Sequence, residues 1–338
     1  MNRRRTTIDM IAAHAGVSIA TVSNVLNNKG RFSNDVKNRV QLAVEELRFT
    51  PSGLIRSLQN GKTNVLGVRT WPYWQTFSAS INMELLSGIA DGLTEAGFDM
   101  LYYMDFPARK HKDRALMFMD GRVDGLVVAA NLFPAEELQV LADSHLPTVM
   151  LYAPNVPDGL GAICVDNHGG ITSAVNHLVE LGHSCIGFVG APVSADLNER
   201  AVAFAAAVSA KGIGCGVAVY PETYEFDADA VVQQVIESRP RVTAIVAGDD
   251  YHAISLIAAF RRLGVRVPED LSIIGFDDAP SAAASANLTT IRQPAREIGR
   301  LSVQFAVALG SGTPFNECKR TMSVELVVRG TTCPPRPR

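Results

Sequence analysis

From Val65 onward the sequence alternates short β-rich runs with stretches long enough for helices, and this alternation constrains the fold more than any other feature. The runs are 65–68, 100–104, 125–129, 148–152, 163–165, 186–189, 244–247 and 272–276, with amphipathic segments between them. Such an order means βαβ units, parallel sheets and helices on both sheet faces. In a chain of 338 residues this stretch is too long for one such sheet. It predicts two similar lobes, each a doubly wound parallel sheet, with a cleft lined by the C-terminal edges of the strands.

The first fifty residues keep a different period. Ile8, Ile11, Ala12 and Ala15 follow the i, i+3, i+4, i+7 spacing of a helix with one buried stripe, which Thr7 can cap and Gly16 ends. Ser18 can cap a second helix running through Asn27, with Val22, Val25 and Leu26 facing inward. Ser33 caps a third, in which Val36, Val40, Ala43, Val44 and Leu47 share a face. Two short helices meeting across a tight glycine turn, with a third behind them, make an all-α unit containing a helix-turn-helix. Such a unit buries one side of its second helix and offers the other to a major groove.

Charge divides the same way. Residues 1–62 hold ten Lys or Arg against four acids, an excess of six positive charges in a chain whose net charge is -3. A basic head on an acidic body suggests a polyanion-binding module joined to a part that stays off polyanions, although a solvated basic surface reads the same by charge alone. On the exposed face of the second helix stand Ile19, Ala20, Thr21, Ser23 and Asn24. Small hydroxyls and a helix N-terminus can bond phosphates, which makes Thr7, Ser18, Thr21, Ser23 and Asn27 candidates for positioning DNA. Asn24 can pair with adenine and Ile19 can meet a thymine methyl, or the two are an ordinary surface residue and a staple to the core.

Thr7-Ile8-Asp9-Met10-Ile11-Ala12, followed by Ala15-Gly16-Val17-Ser18-Ile19-Ala20-Thr21-Val22-Ser23-Asn24-Val25-Leu26-Asn27, closely resembles the DNA-binding head of the lactose-repressor (LacI/GalR) family. Val165-Asp166-Asn167, Leu181-Gly182-His183, Glu199-Arg200, Ile274-Gly275-Phe276-Asp277-Asp278 and Leu288-Thr289-Thr290-Ile291-Arg292-Gln293-Pro294 resemble landmarks of the same family in order. The resemblance implies a two-lobed body like the periplasmic binding proteins. It also implies a homodimeric transcription regulator, most simply a repressor, gripping a pseudo-palindromic double-stranded operator under control of a small molecule, a sugar or sugar derivative. By position, Ile19, Ala20 and Asn24 fall on the base-reading residues. Arg200, Asp249 and Asp277 fall where relatives hold the effector from the second lobe, with Phe77 and Tyr152 facing them from the first.

Between head and body, residues 51–62 open with Pro51 and close on Asn60-Gly61, too short a span for a helix stable by itself. By the resemblance this is a hinge helix in the minor groove, where Leu58 wedges between base steps beside Ile55 and Arg56; a linker docked on its own domain is the other reading. The expected organisation is therefore a DNA-binding domain over 1–50, the hinge over 51–62 and an effector-binding and dimerisation domain over 63–330. Its first lobe takes 63–164 and 293–321, its second 165–292 and 322–330, and a disordered tail covers 331–338.

Two further features bear on the cleft. Trp71, Tyr73, Trp74 and Phe77 gather both tryptophans of the chain after the first strand, where Trp74 can stack on a ligand ring or the group can plug the lobe edge. Asp249-Asp250 and Asp277-Asp278 end strands, where carboxylates suit hydroxyl-rich ligands or cap the helices that follow.

Enzyme signatures are missing. Gly212-Ile213-Gly214-Cys215-Gly216 follows a helix and precedes a strand, the reverse of a dinucleotide loop, and neither a G-x-S-x-G elbow nor a Walker loop occurs. The seven histidines show no H-E-x-x-H, and the five cysteines are scattered without a C-x-x-C pair, so neither a metal site, a cofactor nor a disulfide framework is expected. No apolar run approaches the ~20 residues that span a bilayer. A cytoplasmic location without membrane contact fits best. A transport-type sugar-binding protein shares such a body but has no use for the head, and a sugar enzyme would need a nucleophile or base converging in the cleft.

Overall fold

The structure is a computed structural model that describes residues 6–26, 29–49, 61–70, 80–104, 115–129, 134–191, 194–220, 226–280 and 286–336. The chain divides into two compact units, Met1–Thr63 and Asn64–Arg338.

In the first unit, α1 (Ile8–Ala15), α2 (Ile19–Leu26) and α3 (Asn34–Glu46) enclose a core of Ile11, Ala12, Ala15, Val22, Val40 and Ala43. These are residues of the apolar stripes, which burial holds together because each helix is too short to persist alone. Gly16 ends α1 in the left-handed region, with φ 64°, where glycine carries no side-chain penalty. Arg39, from α3, donates to the carbonyls of Ala15 and Gly16 and so fixes the turn. Ser33 caps α3 as expected, accepting from the Val36 N–H at 3.3 Å. Thr7 stands at the N-cap of α1 but its side chain makes no capping bond. Thr6 instead ties this end to the third helix, donating its hydroxyl to the Leu47 carbonyl at 3.0 Å.

The second unit contains two six-stranded sheets. The first comprises β1 (Val65–Arg69), β2 (Asp99–Tyr102), β3 (Gly125–Ala129), β4 (Thr148–Leu151), β5 (Gly161–Val165) and β11 (Lys319–Met322), in the order β11-β5-β4-β3-β1-β2, all parallel. The second comprises β6 (Cys185–Val189), β7 (Gly214–Val219), β8 (Ala244–Ala247), β9 (Ser272–Asp277), β10 (Thr289–Arg292) and β12 (Glu325–Val327), in the order β12-β10-β9-β8-β6-β7. Only β12 runs antiparallel to its neighbour. The chain passes between the sheets after β5, after β10 and between β11 and β12.

In the first lobe the helices are α4 (Ser80–Ala96), α5 (Ala135–Asp143) and α10 (Ala295–Gly310); in the second they are α6 (Asn167–Glu180), α7 (Ala195–Ala210), α8 (Ala228–Glu237) and α9 (Asp250–Arg262). Each sheet is buried on both faces, as crossover helices require. α4 and α10 approach closely through glycines: a Cβ on Gly88 would lie 1.9 Å from the Arg296 carbonyl oxygen, and one on Gly299 would lie 2.2 Å from that of Leu85.

Of the tail expected to be disordered over 331–338, residues 331–336 are described and are tied to the body, while Pro337 and Arg338 lie outside the described residues. Thr331 is buried, donates its hydroxyl to Ile273 O at 2.7 Å and accepts from Thr289 N at 2.9 Å. Cys333 N–H donates to Ser272 Oγ at 3.0 Å, and its carbonyl meets His183 Nε2 at 2.9 Å. These bonds satisfy polar groups at the N-terminal ends of β9 and β10, a demand that a Pro- and Arg-rich composition does not advertise.

Candidate functional site

On the head, the exposed face of α2 carries the residues the sequence placed there. Ile19 is 47% exposed although apolar, and Ser18, Ala20 and Asn24 are exposed beside it. Ser18 Oγ accepts from Thr21 N at 3.1 Å and meets the Thr21 hydroxyl at 2.9 Å, so both hydroxyls gather at the start of the helix. Thr21 and Ser23 are half-buried, and Thr7 is exposed. Asn27 of the phosphate group lies outside the described residues, as do Ile55, Arg56 and Leu58 of the hinge.

In the body, the ends of β6, β8 and β9 converge on one guanidinium. Gly190 and Gly248 bring two of these strand ends so close that a Cβ on Gly190 would lie 3.0 Å from the Gly248 Cα. The Gly248 carbonyl accepts from Arg200 at 2.8 Å. Arg200 projects from α7 and lies over the Phe276 ring, its Cζ 3.8 Å from the centroid. Its Nε donates to Asn167 Oδ1 at 2.9 Å and another nitrogen to Asp196 Oδ2 at 2.6 Å, one helical turn earlier. Asn167 completes the ring by donating to Asp196 Oδ1 at 2.7 Å and to Glu199 Oε2 at 2.9 Å. Asp277 Oδ1 stands 3.6 Å from the guanidinium. Burial works against the charge on Arg200, but Asp196, Asp277 and Asp249 more than offset it and hold the guanidinium above its ordinary pKa.

The acids at the strand ends have distinct partners. Asp249 caps α9: its Oδ1 accepts from His252 N at 2.8 Å and faces His252 Nδ1 at 2.6 Å. Burial pushes its carboxyl up, yet His252 and Arg200 prevail and hold it below the usual value. Asp250 is turned away, accepting from Thr290 Oγ1 at 2.6 Å and Ala279 N at 2.8 Å, and burial pushes it up to about 7. Asp277 is raised well above the usual range by burial and by the neighbouring Asp250 and Asp249, against the pull of Arg200. Its side chain accepts from the Gln293 amide, and its carbonyl from Gln293 N at 3.2 Å.

Tyr152, at the end of β4 in the other lobe, is buried in the field of Asp196, Asp277 and Arg200, and burial raises its phenol. Tyr152, Asp277 and Asp278 all take positive φ, at 57°, 137° and 57°, values uncommon for residues with side chains and concentrated where binding groups sit. The structure therefore brings together Tyr152, Arg200, Asp249 and Asp277, while Phe77 and Trp74 lie outside the described residues. It adds Asn167, Asp196, His252 and Gln293. Of these, Asp196 was visible as an acid four residues before Arg200 on a helix. Among the described residues no group of three or more His, Cys, Asp or Glu is placed to hold a metal ion, and no single helix is long and apolar enough to cross a membrane.

The head and part of the body each match a known domain family. Residues 7–52 match the family described as "Bacterial regulatory proteins, lacI family", and residues 175–332 match "Periplasmic binding protein-like domain". The chain is 31% identical over 333 residues to the HTH-type transcriptional repressor PurR of Photobacterium profundum, covering 96% of this chain and 97% of that one. Its fold matches the transcriptional regulator CelR–cellobiose complex with a TM-score of 0.71 at 25% identity, over 97% of this chain and 100% of the other. It also matches the Lac repressor dimer bound to operator and the anti-inducer ONPF, with a TM-score of 0.82 at 22% identity, over 98% and 100%. With a helix-turn-helix head and a small-molecule-binding body matched along nearly its whole length, this chain belongs to the LacI family of DNA-binding transcription regulators.

Proposed function

We propose that the protein is a cytoplasmic, homodimeric repressor whose paired heads grip a pseudo-palindromic operator and whose operator affinity is set by a sugar or sugar derivative held between the lobes, without catalysis. The observation that carries this reading is the exposed face of α2, where Ile19, Ala20 and Asn24 stand clear of the core of a helical unit for which a transport protein has no use. Ile19, Ala20 and Asn24 read bases; Thr7, Ser18, Thr21, Ser23 and Asn27 hold phosphates. Leu58, with Ile55 and Arg56, wedges into the minor groove and couples head to body. The names of relatives support the effector class, since a ribose operon repressor and a cellobiose complex stand among them.

In this account Arg200, Asp249 and Asp277 hold the effector from one lobe, and Tyr152, Phe77 and Trp74 face them from the other. The effector shifts DNA affinity only by its differential affinity for two lobe arrangements. The test is selection of random duplex oligonucleotides by the full chain, with and without cellobiose or ribose. Enrichment of a two-fold symmetric motif is expected; enrichment of none overturns the proposal.

A further inference from the structure

Three acids, Asp196, Asp277 and Asp249, stand around the buried guanidinium of Arg200. Its own side chain is 3% exposed, that of Asp196 10% and that of Asp277 13%. Asp196 is occupied on both oxygens, by Arg200 and Asn167, and Asp249 is occupied by His252. Asp277 is left with a 3.6 Å approach from the guanidinium and one amide hydrogen from Gln293. Taking a carboxylate out of water costs several kcal/mol unless a cation and hydrogen-bond donors replace the lost hydration.

A second observation lies beside it. Gln293 is 7% exposed, and its Oε1 takes no hydrogen bond among the described residues. The amide nitrogen is committed to Asp277, so the oxygen is the acceptor left over. A buried acceptor without a donor has given up its hydration with nothing in return. Two groups thus adjoin: a buried acid that holds its proton well above the usual range, and a neutral amide oxygen that lacks a donor.

We propose that the effector is a polyhydroxylated amine, an amino sugar being the simplest case, whose ammonium group seats against Asp277 and Gln293. An ammonium brings up to three donors and a positive charge that lets Asp277 release its proton to solvent, a hydroxyl brings one donor and no charge, and a carboxylate or phosphate is disfavoured beside the same acids. The inference rests on the reading of the Arg200 cleft as the effector site.

Calorimetric titration of the full chain at pH 7 tests it, using D-glucosamine against D-glucose, D-galactosamine against D-galactose, 1-amino-1-deoxysorbitol against sorbitol, and D-glucuronate. At least one amine should bind at least tenfold more tightly than its hydroxyl counterpart. Gln293→Leu, which removes the acceptor and keeps the bulk, should reduce that ratio several-fold, and Asp277→Asn should bring it close to one. Equal or tighter binding of the neutral partner or of glucuronate, or no binding across the panel, overturns the proposal. The wild-type comparison stands even where a variant fails to fold. Operator selection on the same preparation separates the two readings: a protein that enriches a motif but shows no amine preference loses only this inference.

Discussion

Gly88 of α4 faces the backbone of Arg296 in α10 so closely that a single added carbon would stand 1.9 Å from the carbonyl oxygen. In an isolated helix, alanine at this position would be favoured over glycine by roughly 1 kcal/mol. Here the obstacle is backbone, which cannot swing aside, so the sign reverses. Gly88→Ala should destabilise the body by about 1–3 kcal/mol, the usual cost of overpacking, read as a lower urea midpoint. A midpoint unchanged or raised would show that the two helices separate at little cost.

Arg200 is tied to the Gly248 carbonyl, Asn167 and Asp196. Arg200→Met removes the cation and leaves the carboxylates buried without it, a loss expected at about 3–5 kcal/mol. Asp196→Asn keeps a hydrogen-bonding group toward Asn167 and should cost less. Chemical denaturation of both variants checks the order; the reverse order would mean that the network is wet and weakly coupled.

Asp250 gives the body a pH dependence of defined sign. Its carboxyl is near 7 in the fold and near 3.8 when exposed, so the native state binds the proton more tightly. The stability it contributes is fully present below about pH 4 and is lost as pH rises toward 7, at roughly 1.4 kcal/mol for each tenfold difference in proton affinity. The unfolding free energy of wild type minus that of Asp250→Asn should therefore fall between pH 4 and 7. A difference that stays flat, or rises, contradicts the burial assigned to Asp250.

Asn24 is exposed on α2 and contributes little to the core. Asn24→Ala should leave stability within about 0.5 kcal/mol and relax preference at one base pair in each half-site by about 1–3 kcal/mol. An unaltered preference profile from oligonucleotide selection would move base reading to Ile19 and Ala20.

Much of this architecture is legible in the sequence because burial imposes a period. The stripes through Ile11, Val22 and Val40, and the runs that became β3, β6 and β9, show it directly. Four strands are absent from the runs read in the sequence: β7, β10, β11 and β12. β11 and β12 are mostly exposed or half-buried at sheet edges, so no apolar alternation marks them, β7 opens on Gly214-Cys215-Gly216, and β10 is buried but carries two threonines and an arginine in four residues. The candidate site was half legible. Asp249 and Asp277 follow from their places at strand ends and, with Arg200, from the family pattern. Gln293 and Asn167 acquire their roles only when β10 and α6 are folded beside the strand ends, since a lone amide in sequence carries no signal of its partner. Asp249 shows the limit of treating helix capping and ligand contact as alternatives: its Oδ1 caps α9 while its charge still acts on Arg200.

Residues 319–327 supply one border strand to each lobe, β11 against β5 and β12 against β10. During synthesis from the N-terminus, neither lobe has its full set of strands until this stretch leaves the ribosome. A nascent chain halted before Lys319 would display two unfinished sheet margins, each a template for pairing with another chain. Protection from aggregation until that point thus falls on chaperones and on the speed with which the intervening stretch is translated.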